Sequence, residues 1–162
     1  MSLPRTPSQT VGPYYAIGLV RRIENELVPA NDPAAIRVTG RLLDGDEQPI
    51  GDGMIEVWQD SDGLWGRSGT DAQGRFSFLT VKPPASRGEA PHLDVYVFAR
   101  GLLKHQLTRM YFPDEADSNG VDPVLASLPE ADRAALVGEQ EDGVVRFDIR
   151  MQGDRQTVFF AT

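Results

Sequence analysis

An antiparallel β-sandwich with one short helix and an extended N-terminal arm is the fold class that the sequence predicts. Three observations carry it. Glycine (16) and proline (12) are scattered along all 162 residues, which reads as many turns rather than one linker. Between these turns recur short runs in which apolar and polar residues alternate, the period of a half-buried strand. Helical periodicity is confined to one stretch near residue 130.

The elements follow in order. Ile36–Leu42 alternates and ends at the turn pair Asp44-Gly45. Ile55–Gln59 is closed by Asp62-Gly63. Arg75–Val81 follows a turn at Gly74 and puts Phe76 and Phe78 on one face. Leu93–Ala99 is apolar at nearly every position, as in a strand covered on both faces. Val145, Phe147, Ile149 and Met151 point one way, with Arg146, Asp148 and Arg150 opposite, and Thr157–Phe160 is a last strand candidate. The helix is expected over Leu128–Val137, with Ser127 as its cap, Pro129 in the first turn and Gly138 as its stop. Residues 1–34 form the arm and its connection, and 35–162 the sandwich, in one domain. The acids between Asp114 and Asp142 read as a solvated face.

Composition bounds the chemistry. Twenty-four acidic against sixteen basic residues give a net charge of -8, which argues against nucleic-acid binding. There are no cysteines, hence no disulfide framework, thiolate nucleophile or zinc–thiolate site, and only two histidines, His92 and His105. No apolar run approaches a membrane span, and Met1-Ser2-Leu3-Pro4-Arg5 is not the start of a secretory signal. A cytoplasmic protein is the expectation.

The arm carries TPSQTVGPY, from Thr6 to Tyr14. Further on come Glu56-Val57-Trp58-Gln59, Thr80-Val81-Lys82-Pro83, the run from Pro91 to Phe112, Arg146-Phe147-Asp148-Ile149-Arg150 and Thr157-Val158-Phe159-Phe160. In their joint order these stretches resemble the intradiol ring-cleaving dioxygenases, and within that family the α subunit of its two-subunit members. The resemblance implies a β-sandwich of the intradiol dioxygenase type. It also implies cleavage of a catechol between its hydroxyl-bearing carbons by O2, at a ferric ion held by two tyrosines and two histidines.

Set against that ligand pattern, this chain departs at three of four places. The His-x-His stretch is His92-Leu93-Asp94; the segment after Lys82-Pro83 and the one after Gln59 contain no tyrosine. The resemblance therefore implies that Fe(III) sits in a partner β subunit and is not ligated by this chain, in an αβ hetero-oligomer acting on protocatechuate. It assigns the lining of the partner's substrate cleft to Thr10, Gly12, Pro13, Tyr14 and Arg100. The residue types suit that task. Gly-Pro holds backbone close to a flat ring, Thr and Tyr hydroxyls donate to a carboxylate, and an arginine offsets an acidic field.

Two other readings stand beside it. One is a metal-free sandwich serving as a binding or scaffold module. The other is a self-contained metal site in which His92, Asp94 and His105 form a two-histidine, one-carboxylate set. Trp58 is expected in the core or an interface, and Trp65 near the place of the missing ligands.

Overall fold

The computed structural model describes residues 5–10, 12, 14–21 and 24–161. After the arm, strand β1 (Ala35–Leu43) opens the first sheet, in which β4 (Arg75–Val81) pairs antiparallel with it. Strand β2 (Met54–Gln59) lies between β3 (Leu64–Gly69) and β5 (His92–Phe98), and β6 (Gln106–Tyr111) completes that second sheet in the order β3-β2-β5-β6. Three short helices follow: α1 (Ala116–Val121), α2 (Pro123–Ala126) and α3 (Glu130–Leu136). The chain then returns to the first sheet as β7 (Glu139–Glu141), β8 (Val144–Arg146) and β9 (Ile149–Arg150), in the order β4-β1-β8-β7 with β9 also on β1.

The alternation read from sequence is the sandwich's inner lining. Val38, Leu42, Phe76, Phe78 and Val145 of one sheet pack against Ile55, Val57, Leu93, Val95 and Val97 of the other in a single buried cluster. A buried polar tie crosses between the layers at one end of β2. Gln59, 1% exposed at the end of β2, donates from Nε2 to Thr80 Oγ1 at 2.6 Å and to the Val81 carbonyl at 2.8 Å on β4. Two of the motif stretches quoted above thus meet in one buried bond, so their residue types are fixed at least partly by structure.

Gly40 marks the tightest point. A Cβ there would sit 1.9 Å from the Phe147 carbonyl oxygen and 2.6 Å from the Phe76 ring. Neither neighbour can step aside, because Phe147 N is bonded to the Thr39 carbonyl and Phe76 belongs to the core. Gly40→Ala is expected to cost at least about 1–3 kcal/mol, the range for overpacking, read as a lowered urea midpoint at unchanged slope.

Several expectations are corrected. The first sheet is mixed, because β8 and β9 both run parallel to β1. The long alternating run is split into these two strands at Phe147-Asp148, where Asp148 Oδ1 accepts the Arg41 backbone N–H at 3.0 Å. Thr157–Phe160 is not a strand; Phe160 makes one bridge, to Leu107. Strand β5 is buried on one face only, its outer residues being half-covered. The helix starts at Glu130, after Pro129, and Ser127 does not cap it but donates to the Val124 carbonyl at the end of α2. Besides that helix, α1, α2 and a π-helical turn at Tyr15–Leu19 are present. Among the acids of 114–142, Asp122 is 1% exposed and so not solvated. Among the described residues no helix is long and apolar enough to cross a membrane.

Candidate functional site

Two regions bear on function, and the sandwich sets them at different places. The first is the arm with the turn after β5. Gly12 has φ +63° and donates its N–H to Thr10 Oγ1 at 3.2 Å, in a left-handed turn that favours glycine. Pro13 lies outside the described residues. The chain then enters the π-helical turn, which separates the two tyrosines: Tyr14 is 61% exposed, Tyr15 is 2% exposed. The Tyr14 ring lies against Gly18, where a Cβ would come within 2.9 Å of it.

Arg100 sits on the turn beyond β5, followed by Gly101 at φ +86°. Its side chain is 65% exposed and its Nε is ion-paired with Asp52. The ion pair thus lies within this chain. Among the described residues no hydrogen bond or ion pair joins Arg100 to Thr10, Gly12 or Tyr14; Tyr15, next after Tyr14, lies within reach of the Arg100 and Asp52 charges. Burial raises the Tyr15 phenol above its ordinary range, the Asp52 charge adds to this, and Arg100 opposes it. The Tyr15 hydroxyl is buried without a partner among the described residues. Sequence reasoning gave Tyr15 and Asp52 no role, and neither carries a local signal: one is the second of two tyrosines, the other sits in Gly51-Asp52-Gly53.

The second region is the place where the resemblance puts the metal. The three segments that should carry ligands do converge. Trp58, Asp60 and Ser61 after β2, Pro83, Pro84 and Arg87 after β4, and His92 and Asp94 on β5 surround one cavity of about 360 Å³. Its contents differ from a metal site. Arg109, projecting from β6 beside Asp94 in the register, donates Nε to Asp94 at 3.0 Å and Nη1 to Glu89 at 3.0 Å. His92 donates Nδ1–H to the Ala90 carbonyl at 2.7 Å, with Nε2 3.7 Å from both Glu89 and Asp94.

A guanidinium neutralises the two carboxylates that would otherwise face each other. Arg109 also donates to Tyr111 Oη at 3.4 Å, and Tyr111 in turn donates to Asp122 at 3.2 Å. Burial pushes the Tyr111 phenol up to about 12, against the lowering effect of Arg109. With one histidine, one tyrosine (Tyr96, whose phenol burial and the Asp94 charge raise above its ordinary range) and a resident cation, these residues do not fit a ferric ion held by two tyrosines and two histidines. Among the described residues no group of three or more His, Asp or Glu side chains is placed to hold a metal.

The remaining sequence readings resolve. His105 packs edge-on against Tyr96 at 5.3 Å and beside Phe98 at 5.6 Å, at the far end of β5 from His92. Strand rise puts those ends roughly 20 Å apart, so His105 cannot join His92 and Asp94. Trp58 is 44% exposed and lines the cavity rather than the core. Trp65, its cross-strand partner, instead lies under Arg67 at 4.9 Å.

No family model matches the chain. It is 39% identical to the protocatechuate 3,4-dioxygenase alpha chain of Burkholderia cepacia, across 98% of each chain. It is 37% identical to the alpha chain of Pseudomonas putida, across 98% of this chain and 96% of that one. The beta chain of Burkholderia cepacia matches at 32% identity over 73% of this chain and 64% of its own length. Among solved structures, an intradiol ring-cleavage dioxygenase from Tetranychus urticae superposes with a TM-score of 0.65 at 16% identity, over 78% of this chain and 84% of that one. The dioxygenase domain of a Streptomyces fusion protein does so at 0.60 and 22%, over 93% and 99%. Identity at that level, sustained end to end, decides the matter: the chain belongs to the alpha-chain family of protocatechuate 3,4-dioxygenases, among the intradiol dioxygenases.

Proposed function

We propose that this chain is the alpha subunit of a cytoplasmic protocatechuate 3,4-dioxygenase, paired with a beta subunit that holds Fe(III). Together they cleave protocatechuate with O2 to 3-carboxy-cis,cis-muconate, a step of aromatic breakdown in the β-ketoadipate route. The observation that carries this reading is the cavity bordered by His92 and Asp94: its cation is Arg109, so the chemistry has to be supplied by another chain. What the ferric ion supplies there is activation of a bound catecholate toward O2.

The work of this chain is positioning. Thr10, Gly12, Pro13, Tyr14 and Arg100 line the partner's cleft. Tyr14 and Arg100 are exposed, as groups that meet a second chain must be before assembly. Arg100 meets the substrate carboxylate, and Asp52 holds its guanidinium in place. Thr10 and Tyr14 have hydroxyls to donate to the same anion or to ordered water, and the left-handed turn at Gly12 lets backbone lie near the ring.

Iron content and oxygen uptake with protocatechuate test this, for the chain alone and co-expressed with a beta subunit. About one iron per αβ pair and turnover only on co-expression is the expected result. Iron and turnover in the chain alone would overturn it. An iron-loaded complex without turnover would favour the binding or scaffold module.

A further inference from the structure

A cavity of about 910 Å³ belongs to neither region described above. It opens on the outer face of the first sheet, where β1, β4 and β8 present their non-core side chains, and is walled by β3 and the arm near Val20. Arg41 and Arg75 are directly opposite each other in the β1–β4 register, with Thr39 opposite Ser77 next along and Arg146 beside Thr39 on β8. Like charges directly opposite on a sheet are unfavourable unless an anion lies between them.

The anions present do not suffice. Asp148 serves Arg41 at 3.4 Å, Arg146 at 2.7 Å and Arg150 at 4.0 Å. Asp71 points its Oδ1 at the backbone N–H groups of Gln73 and Arg75, inside its own turn. Arg67 is taken by Glu56 and Glu24, and Arg21 pairs with Glu24. Arg75 has no ion-pair partner among the described residues, and the buried Arg41 Nε has no hydrogen-bond partner among them.

This surplus of donors is local to an acidic protein. Residues 114–142 hold nine of the 24 carboxylates and one basic residue, Arg133, a balance of -8. That equals the net charge of the whole chain, so the remainder, this face included, is neutral on balance. Against that neutral background, Arg41, Arg75 and Arg146 outnumber the two carboxylates that line the cavity, Asp148 and Asp71. Glu139 faces Arg146 alone, from β7, so the positive charge is concentrated at Arg41 and Arg75.

We propose that this cavity is a binding site for a small polycarboxylate. Guanidinium forks match planar carboxylates bidentately, and a cavity of this volume suits a molecule larger than phosphate. Resting on the function proposed above, its occupant is the tricarboxylate product of ring cleavage. O2 breaks the bond between the two hydroxyl-bearing carbons and leaves one oxygen atom on each, so both become carboxyls beside the one the substrate already carries. The substrate bears one carboxylate and the product three, and an arginine cluster separates them by charge.

Calorimetric titration of the αβ complex with propane-1,2,3-tricarboxylate tests the site without reference to iron. Saturable binding is expected at one per alpha chain, at least tenfold tighter than benzoate or inorganic phosphate. Arg75→Ala should weaken it by about tenfold or more, the scale of a lost charge-assisted bond, and Arg75→Lys by less. Arg37→Ala, an exposed arginine of β1 outside the cavity, should leave it unchanged. No saturable binding, equal binding of phosphate, or equal loss in the Arg37 and Arg75 variants would overturn the site. Tricarboxylate binding by a complex that does not turn over protocatechuate would overturn the product as occupant, while turnover without binding would overturn the site alone.

Discussion

In the αβ complex, Arg100→Ala is expected to raise KM for protocatechuate roughly ten- to a hundredfold, the range for losing a charge-assisted hydrogen bond worth about 1.5–3 kcal/mol. The effect should fall on KM more than on kcat, because the carboxylate lies away from the bonds being broken. Asp52→Ala discriminates the cause. It leaves the Arg100 charge but removes the partner at Nε, so a smaller rise in KM marks orientation as Asp52's contribution. Steady-state oxygen uptake reads both variants, with iron content confirming that the complex is intact. Unchanged KM in an intact Arg100→Ala complex would leave Arg100 as the partner of Asp52 and nothing more.

Asp122→Ala should be the most destabilising single carboxylate removal beside the smaller buried cluster that Ala90, Tyr111, Leu125 and Leu136 form outside the sandwich core. Asp122 is 1% exposed and accepts four hydrogen bonds: from Ala90 N at 2.8 Å, Val124 N and Leu125 N at 2.9 Å, and the Tyr111 hydroxyl at 3.2 Å. It therefore caps α2, fixes the segment before β5 and anchors the tyrosine that Arg109 touches. Stranding several buried donors, at about 1–3 kcal/mol each with partial relaxation, gives an expected loss of about 3–5 kcal/mol. Asp122→Asn retains one acceptor oxygen and should lose about half as much. Urea denaturation measures both, and a loss below about 1 kcal/mol for the alanine variant would show that the network is not a stability element.

Much of this was open to a reader of the sequence, and the exceptions have physical causes. Runs such as Arg75–Val81 were legible because their alternation records a single buried face. Strand β3 was not, since Leu64–Gly69 contains two glycines and reads as a turn. Its glycines answer to the arm: a Cβ at Gly66 would come 2.3 Å from Leu27, and one at Gly69 would come 3.0 Å from Val20. Strand β6 hides its period because the polar Thr108 is fully buried while the apolar Leu107 is only half-covered. At the site, the lost ligands could be counted in the sequence once the family pattern was in view. That Arg109 supplies the replacing cation could not, since it comes from the neighbouring strand and only the β5–β6 register sets it beside Asp94.

The parallel insertion of the C-terminal strands sets an order of events during synthesis. β1 is among the first strands made, yet one of its two neighbours is β8, and Arg41 waits for Asp148, 107 residues later in the chain. A ribosome adding about 5–20 residues per second therefore exposes an open, β-rich edge for several seconds before its partner emerges. Such distant pairing slows folding and leaves time for wrong edge-to-edge contacts. Losing the last twenty residues would remove β8 and β9 whole, leaving β1 half paired rather than merely trimming a tail.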